Sequence, residues 1–194
     1  MSFDLVVMGA SWGGLGALER ILGDLPGDFA TPIAVAQHRS AGSGSDGLAK
    51  LLSRHSPVPV VDVEDKQPIE RGRVYLAPPD YHLHVDEGSF SLSMDDAVLF
   101  SRPSIDVLFE SAAEGYRERL IAVVLTGANE DGAAGVGVVK RLGGHVIVQN
   151  PVEAERSEMP RAAMRAATAD SVLSLEAIAP ALVELCGRGE EARR

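Results

Sequence analysis

A serine between glycines follows the first apolar run of the chain. The segment GASWGG, which begins at Gly9 and contains Ser11, fits the pattern G-x-S-x-G that exposes a nucleophilic hydroxyl at a strand-to-helix turn. Amides at the start of the following helix can stabilise the oxyanion that forms when a serine attacks a carbonyl. The same residues equally suit a helix cap with glycines needed for packing. Ser11 is therefore a candidate nucleophile with a structural alternative.

A histidine follows the second apolar run and is a candidate base for that serine. His38 comes 27 residues after Ser11, and neighbouring strands lie about 4.8 Å apart. An imidazole can remove the proton of a hydroxyl near neutral pH. We therefore expect His38 to reach Ser11 if the first two strands are neighbours.

A carboxylate is needed to orient such a histidine. The loop after the strongest strand carries Glu130 and Asp131, although an acidic residue before Gly132 is also a normal helix cap. The residues alone leave four candidates open for this role: Asp131, Glu130, Asp106 and Asp80.

Four further residues have side chains that could take part in chemistry or substrate binding. His82 and His84 share one face of a strand, but without further ligands at suitable spacing we expect strand residues and no metal site. Cys186 lies on an apolar helical face and is expected in the core. Trp12, beside Ser11, either packs or lines a substrate groove.

Dinucleotide binding is the second hypothesis, because glycine-rich turns also hold pyrophosphate. The pattern G-x-G-x-x-G requires glycine at position 11, which is Ser11, and G-x-x-x-G-x-G requires glycine at position 15, which is Leu15. Arg39 is suited to a 2′-phosphate. An oxidoreductase that binds NADP therefore remains an alternative.

Turn residues divide the chain into alternating strand-like and helix-like pieces. The predicted strands of the main sheet are Leu5–Met8, Pro32–Gln37, Val58–Val63, Leu120–Leu125, His145–Gln149 and Val172–Leu175. The predicted helices are Gly13–Leu25, Leu48–Leu52, a helix capped by Ser104, Asp131–Leu142, Pro160–Ala169 and Ala177–Cys186. Arg73–Leu76, His82–Val85 and Ser89–Ser93 predict an antiparallel hairpin or meander. The alternation predicts an α/β fold, a doubly wound, mostly parallel and Rossmann-like sheet with a small antiparallel hairpin insert.

Composition bounds the function class. With 194 residues, 45% of them hydrophobic, we expect one domain over residues 1–187 and a polar tail over residues 188–194. The formal net charge of −10 argues against nucleic acid as a partner. The longest apolar run, Leu120–Leu125, is far below the roughly 20 residues that cross a bilayer, so no membrane insertion is expected. The single cysteine and the lack of a secretory signal predict a cytoplasmic protein.

Seven segments in this order resemble the catalytic domain of the chemotaxis receptor protein-glutamate methylesterases, the CheB family. They extend from about Leu5 to Leu185 and read GASWGG, AQH, RGRVYLAPPDYHL, RPSIDVLFESAA, VVLTGANEDGAAG, GGHVIVQNP and MPRAA. The resemblance implies a doubly wound sheet and hydrolysis of glutamyl methyl esters on receptors, with deamidation of glutamines in many members. It implies no metal or organic cofactor.

The resemblance also implies roles for individual residues. Ser11 would be the nucleophile, His38 the general base and acid, and Asp131 the orienting carboxylate. Backbone amides near Trp12 and Ala128 would bind the oxyanion. The implied partner is a methylated chemoreceptor or receptor-like protein, and we expect a monomer.

Three departures from the family pattern concern substrate docking and regulation. The family usually has threonine where Trp12 stands, and methionine and glycine where Ala128 and Asn129 stand. An aromatic residue common after the histidine is missing from Ser40–Gly47. Typical members also carry a receiver domain before the first catalytic strand, and from the start MSFD we expect a stand-alone esterase. A third hypothesis follows, a non-catalytic docking module in which Trp12 blocks the site.

Overall fold

A computed structural model describes residues 3–39, 46–86 and 88–191, with the backbone alone at Asp46 and at residues 188–191. Most of the segment Ser40–Gly47, on which one departure from the family pattern rests, lies outside the described residues. Among the described residues, no helix has the length and apolar character required to cross a membrane.

The described chain alternates strands and helices, except for a run of four consecutive strands near its middle. The strands are β1 (Leu5–Ala10), β2 (Ile33–Gln37), β3 (Val60–Asp62), β4 (Val74–Leu76), β5 (His82–Asp86), β6 (Ser89–Ser93), β7 (Leu120–Val124), β8 (His145–Gln149) and β9 (Ser171–Leu173). The helices are α1 (Gly14–Gly23), α2 (Asp46–Leu52), α3 (Ile105–Tyr116), α4 (Ala133–Arg141), α5 (Glu158–Ala166) and α6 (Leu175–Glu191). A short 3-10 turn, Arg117–Arg119, connects α3 to β7.

Seven strands form one parallel sheet in the order β3-β4-β2-β1-β7-β8-β9. All residues of β1, β2 and β7 are buried, because helices cover both faces of the sheet. One apolar core lies between the sheet and α1, α2 and α6, and includes Leu18, Leu52 and Ile178. The second lies between the other face and α3, α4, α5 and the β5–β6 hairpin, and includes Phe109 and Phe90. The predicted doubly wound α/β fold is confirmed.

The antiparallel part is smaller than the sequence predicts. Among the described strands, only β5 and β6 pair as an antiparallel hairpin, whereas β4 pairs in parallel with both β2 and β3. The assignment of Arg73–Leu76 to the meander is therefore wrong. The physical reason is burial: Val74, Tyr75 and Leu76 are all buried, as in a strand covered on both faces.

The last helix crosses the predicted end of the domain. α6 runs from Leu175 to Glu191 and contains Pro180, whereas the sequence predicts a helix over Ala177–Cys186. The division between residues 187 and 188 stays a prediction.

The sheet has its topological switch point at β1. One neighbour of β1 is β2, and the other is β7, so the loops after these three strands meet at the same edge of the sheet. Ligands of open parallel sheets bind at this kind of edge. Ser11, His38 and Asp131 all lie in these loops.

Candidate active site

The turn after β1 places Ser11 beside the β7 loop. The Ser11 amide donates to the Thr126 carbonyl at 3.0 Å, and the Gly14 amide donates to the Ser11 carbonyl at 2.9 Å. Gly13 has a φ of +77°, and a Cβ there would lie 2.7 Å from a carboxylate oxygen of Glu155. Glycine is therefore required at this position for both backbone and space. Gly13 is also the N-cap residue of α1 and no side chain caps the helix, so Ser11 is free of that structural role.

The loop after β2 places His38 against the serine. The His38 amide donates to the Ala10 carbonyl at 3.0 Å, and the Gln37 amide side chain donates to the carbonyls of Ser11 and His38, each at 2.9 Å. This side chain ties the two loops together. His38 Nδ1 lies 3.1 Å from Ser11 Oγ, within hydrogen-bond distance.

Asp131 contacts the other nitrogen of the same ring. Its Oδ2 lies 2.6 Å from His38 Nε2, and its side chain is fully buried. A carboxylate only accepts hydrogen bonds, so Nε2 carries the proton and Nδ1 presents its lone pair to the Ser11 hydroxyl. The hydroxyl of Ser101 lies 3.3 Å from that same Nδ1.

The N-terminus of α3 holds the carboxylate. Asp131 accepts hydrogen bonds from the Ser104 hydroxyl at 2.9 Å and from the amides of Ile105 at 2.7 Å and Asp106 at 3.0 Å. Burial by itself would raise the pKa of Asp131, but the hydrogen bonds from His38, Ile105 and Asp106 outweigh it and lower the pKa. Asp131 therefore remains ionised at neutral pH.

The other three candidate carboxylates lie elsewhere. Glu130 and Asp80 are exposed. Asp106 is 7% exposed and accepts from the Gly135 amide at 2.7 Å, and burial raises its pKa to about 6. Among the described residues, only Asp131 forms an ion pair with His38.

His82 supports the α3 terminus. It is 1% exposed, its Nδ1 accepts from the Ser104 amide at 3.1 Å, and its Nε2 donates to the Asp96 carbonyl at 3.1 Å. His84 Nε2 lies 2.9 Å from Ser93 Oγ. Both are strand residues, and the described part of the chain contains no cluster of three or more metal-ligating side chains.

The sequence prediction missed the contribution of Ser104 and His82 to this site. Ser104 was predicted as a helix N-cap, and it does accept from the Val107 amide at 3.4 Å. The predicted N-cap at Ser104 was therefore a usable signal for this contact, since the N-terminus of a helix binds anions. The sequence does not show that Asp131 is that anion.

An open cleft of about 440 Å³ lies over Ser11 and His38. Its lining residues are Ser11, Trp12, His38, Arg39, Leu99, Phe100, Ser101, Ala128 and Asn129. A Cβ on Gly127 would meet the Met159 side chain at 2.7 Å and the Ser11 Cβ at 3.0 Å. The β7 loop therefore packs directly on the serine, and Ala128 lies at the rim of the cleft.

Trp12 lies at the exposed edge of this cleft. Its side chain is 59% exposed, its indole N–H donates to Glu155 at 2.9 Å, and the Arg156 guanidinium lies 5.4 Å from the ring centroid. Within the described part of the chain, neither the Trp12 nor the Ala128 amide donates a backbone hydrogen bond. Of the predicted site residues, Ser11, His38 and Asp131 are hydrogen-bonded in series, and Trp12 and Ala128 border the same cleft.

Comparison with known proteins identifies the family. The sequence profile described as CheB methylesterase matches residues 6–182. The chain belongs to the CheB methylesterase family. A crystal structure of the Thermotoga maritima CheB methylesterase catalytic domain is similar to this chain with a TM-score of 0.89 and 36% identity, over 95% of this chain and 100% of that one. The family resemblance drawn from the sequence is confirmed.

Curated members of the family differ in length. A putative protein-glutamate methylesterase/protein-glutamine glutaminase from Leptospira interrogans is 46% identical over 187 residues, which cover 95% of this chain and 96% of that protein. Protein-glutamate methylesterase/protein-glutamine glutaminase 2 from Anaeromyxobacter dehalogenans is 41% identical, over 94% of this chain and 53% of that protein. The chain therefore spans nearly all of the first relative and about half of the second. Membership of this family favours the hydrolase hypothesis over the NADP-binding one.

Proposed function

We propose that this chain is a serine esterase that removes methyl groups from glutamyl methyl esters of a chemoreceptor-like protein. The observation that carries the proposal is the series of hydrogen bonds Ser11–His38–Asp131, with distances of 3.1 and 2.6 Å. A serine hydroxyl, a neutral imidazole and an ionised carboxylate in this order are the arrangement that generates a serine nucleophile. The names of the curated relatives supply the substrate class.

The first half of the reaction forms an acyl-enzyme. Ser11 Oγ attacks the ester carbonyl carbon while His38 Nδ1 takes the hydroxyl proton. Asp131 stabilises the imidazolium through Nε2. The carbonyl oxygen becomes an oxyanion, which the amides of Trp12 and Ala128 bind in this proposal. The C–O bond to the methoxy group then breaks, and His38 returns the proton so that methanol leaves.

The second half releases the product. Water attacks the acyl carbonyl as His38 removes one of its protons, and collapse of this intermediate regenerates the Ser11 hydroxyl and frees a glutamate carboxylate. A glutamine side chain can follow the same path with ammonia as the leaving group. The relatives' names include this second activity, so we extend the proposal to glutamine deamidation.

Release of methanol from a methylated receptor fragment tests the proposal. We expect Ser11→Ala to reduce the rate by at least about 10³-fold, because the nucleophile is lost while binding remains. Ser91→Ala on β6, outside the cleft, is the matched control and should retain the rate of the unmodified protein. Full activity of Ser11→Ala would exclude Ser11 as the nucleophile.

Labelling separates the proposal from the docking-module hypothesis. A fluorophosphonate probe reacts with an activated serine, and we expect it to modify Ser11 in the unmodified protein. A folded protein that the probe leaves unmodified would favour a non-catalytic module.

A further inference from the structure

Arg39 is a buried cation beside the candidate nucleophile. It directly follows His38 and lines the same cleft as Ser11. Only 7% of its side chain is exposed. Its Nε, Nη1 and Nη2 have no hydrogen-bond partner in the described part of the chain. The mechanism proposed above does not use this side chain.

The charged partner of Arg39 lies beyond hydrogen-bond range. Asp62 Oδ1 is 3.6 Å from Nη2, whereas a hydrogen bond between charged nitrogen and oxygen spans about 2.7–2.9 Å. Burial lowers the pKa of Arg39, and attraction to the Asp62 carboxylate opposes this shift. A guanidinium still remains charged at every physiological pH. Within the described part of the chain, these donors therefore have the Asp62 carboxylate at ion-pair distance but no hydrogen-bond acceptor of the kind that a buried charge requires.

The cleft has little charge apart from Arg39. Of its lining residues, Arg39 alone carries a permanent charge, since the others are serines, a histidine, an asparagine and apolar side chains. The chain as a whole carries a formal net charge of −10. Because the net charge of the protein repels anions in general, an anionic ligand group in the cleft would depend on the local Arg39 donors, which have no hydrogen-bond partner among the described residues.

We propose that Arg39 is a specificity-determining residue that binds a carboxylate of the substrate close to the ester attacked by Ser11. This inference rests on the proposed function. A guanidinium can bind a carboxylate through two parallel hydrogen bonds, and both oxygens are then satisfied. The substrate segment would therefore carry an acidic side chain, such as an unmethylated glutamate, near the methylated one.

Two activated esters test the proposal directly. One is the p-nitrophenyl half ester of adipic acid, which ends in a carboxylate, and the other is its analogue in which a primary amide replaces that carboxylate. We expect the unmodified protein to have a kcat/KM about 10- to 100-fold higher for the carboxylate ester, because hydrogen bonds to charged groups are among the strongest. The readout is the absorbance of released nitrophenolate, corrected for Ser11→Ala.

Variants then assign the preference to Arg39. In Arg39→Met, which keeps the length and removes the charge, the ratio of the two kcat/KM values should fall to near one, and in Arg39→Lys it should be intermediate. Arg54→Met is the matched control, since Arg54 is exposed and outside the cleft and its loss changes the net charge equally. Its ratio should equal that of the unmodified protein.

Three outcomes would overturn the inference. An equal kcat/KM for both esters in the unmodified protein would show that the site has no preference for a carboxylate. This result could be obtained without any variant. Inhibition by NADP that disappears in Arg39→Met would assign the cation to a phosphate instead. A ratio in Arg39→Met equal to that of the unmodified protein would show that another residue causes the preference. The proposed function fails separately, through methanol release that persists in Ser11→Ala.

Discussion

Asp131 shows how a single residue joins two parts of the fold. Its carboxylate accepts from the amides at the start of α3 and contacts His38 Nε2 at 2.6 Å. These donors fix the carboxylate before it orients the ring. The hydrogen bonds also keep its pKa below the ordinary value despite burial. A fixed, ionised acceptor holds the imidazole in one tautomer.

Replacing Asp131 by asparagine should therefore impair chemistry more than binding. The amide group of Asp131→Asn can donate to Nε2, which favours the tautomer with the proton on Nδ1, and His38 then cannot take the proton of Ser11. We expect kcat for methanol release to fall roughly 10³- to 10⁴-fold with a small change in KM.

The neighbouring residue provides the control. Glu130→Gln removes one negative charge from the same loop, but Glu130 is exposed. Its kcat should remain within about 2-fold of the original value, as for most surface substitutions. Equal losses in the two variants would show that loop charge, rather than the contact with His38, controls the rate.

At the scale of elements, α3 connects the site to the second core. Its first turn donates to Asp131, and Asp106 in that turn accepts from the Gly135 amide of α4 at 2.7 Å. The two helices approach closely, since a Cβ on Gly135 would lie 2.6 Å from the Phe109 Cβ. Asp106 is therefore a buried acid whose ionised form is disfavoured.

This acid makes stability depend on pH. Burial raises the pKa of Asp106 from 3.8 to about 6 in the folded state. Between these values the folded protein binds the proton more tightly, so the contribution of Asp106 is most favourable at acid pH and is lost as pH rises towards 6. The shift corresponds to about 3 kcal/mol at neutral pH.

Asp106→Asn should remove this penalty, because asparagine keeps an oxygen for the Gly135 amide and carries no charge. We expect the variant to be more stable than the original by up to about 3 kcal/mol near pH 7.5 and by little near pH 4. Urea unfolding at the two pH values measures the difference.

Glu114→Gln is the control that shows whether burial of Asp106, rather than the loss of any negative charge on α3, causes the gain in stability. Glu114 is an exposed acid of the same helix, and its replacement should leave the pH dependence of the original protein intact. A gain for Asp106→Asn that is the same at both pH values would contradict the assignment.

At the scale of the whole molecule, the central sheet is shared by two cores. β1, β2 and β7 contribute alternate residues to each, as Val6 and Val7 illustrate. Loss of either helical layer would expose one face of these strands. We therefore expect the two layers to unfold together as a single cooperative unit.

Trp12 allows this expectation to be measured. It is the one tryptophan of the chain and lies at the cleft, so its fluorescence reports the site, whereas far-ultraviolet circular dichroism reports all helices and strands. The two signals should give the same midpoint in urea. An earlier fluorescence midpoint would instead show that the site loops unfold before the sheet.

The sequence by itself determined the order of strands and helices, the α/β class and the family resemblance. These properties depend on local patterns: continuous apolar runs for buried strands, helical spacing for the layers, and glycines where the turn after β1 requires them. The pattern failed at β4, because a run of three buried residues is too short to distinguish an antiparallel hairpin from a parallel strand.

Only the tertiary structure decided which side chains meet. Residue types alone left Asp131 and Asp106 both open, and only the family resemblance favoured Asp131; in the structure one contacts His38 and the other contacts α4. For Arg39 the sequence suggested only a 2′-phosphate site, and its burial and its lack of hydrogen-bond partners among the described residues emerged from the structure. The physical reason is that hydrogen bonding and desolvation depend on distances between residues remote in the chain, which no local pattern of residue types contains.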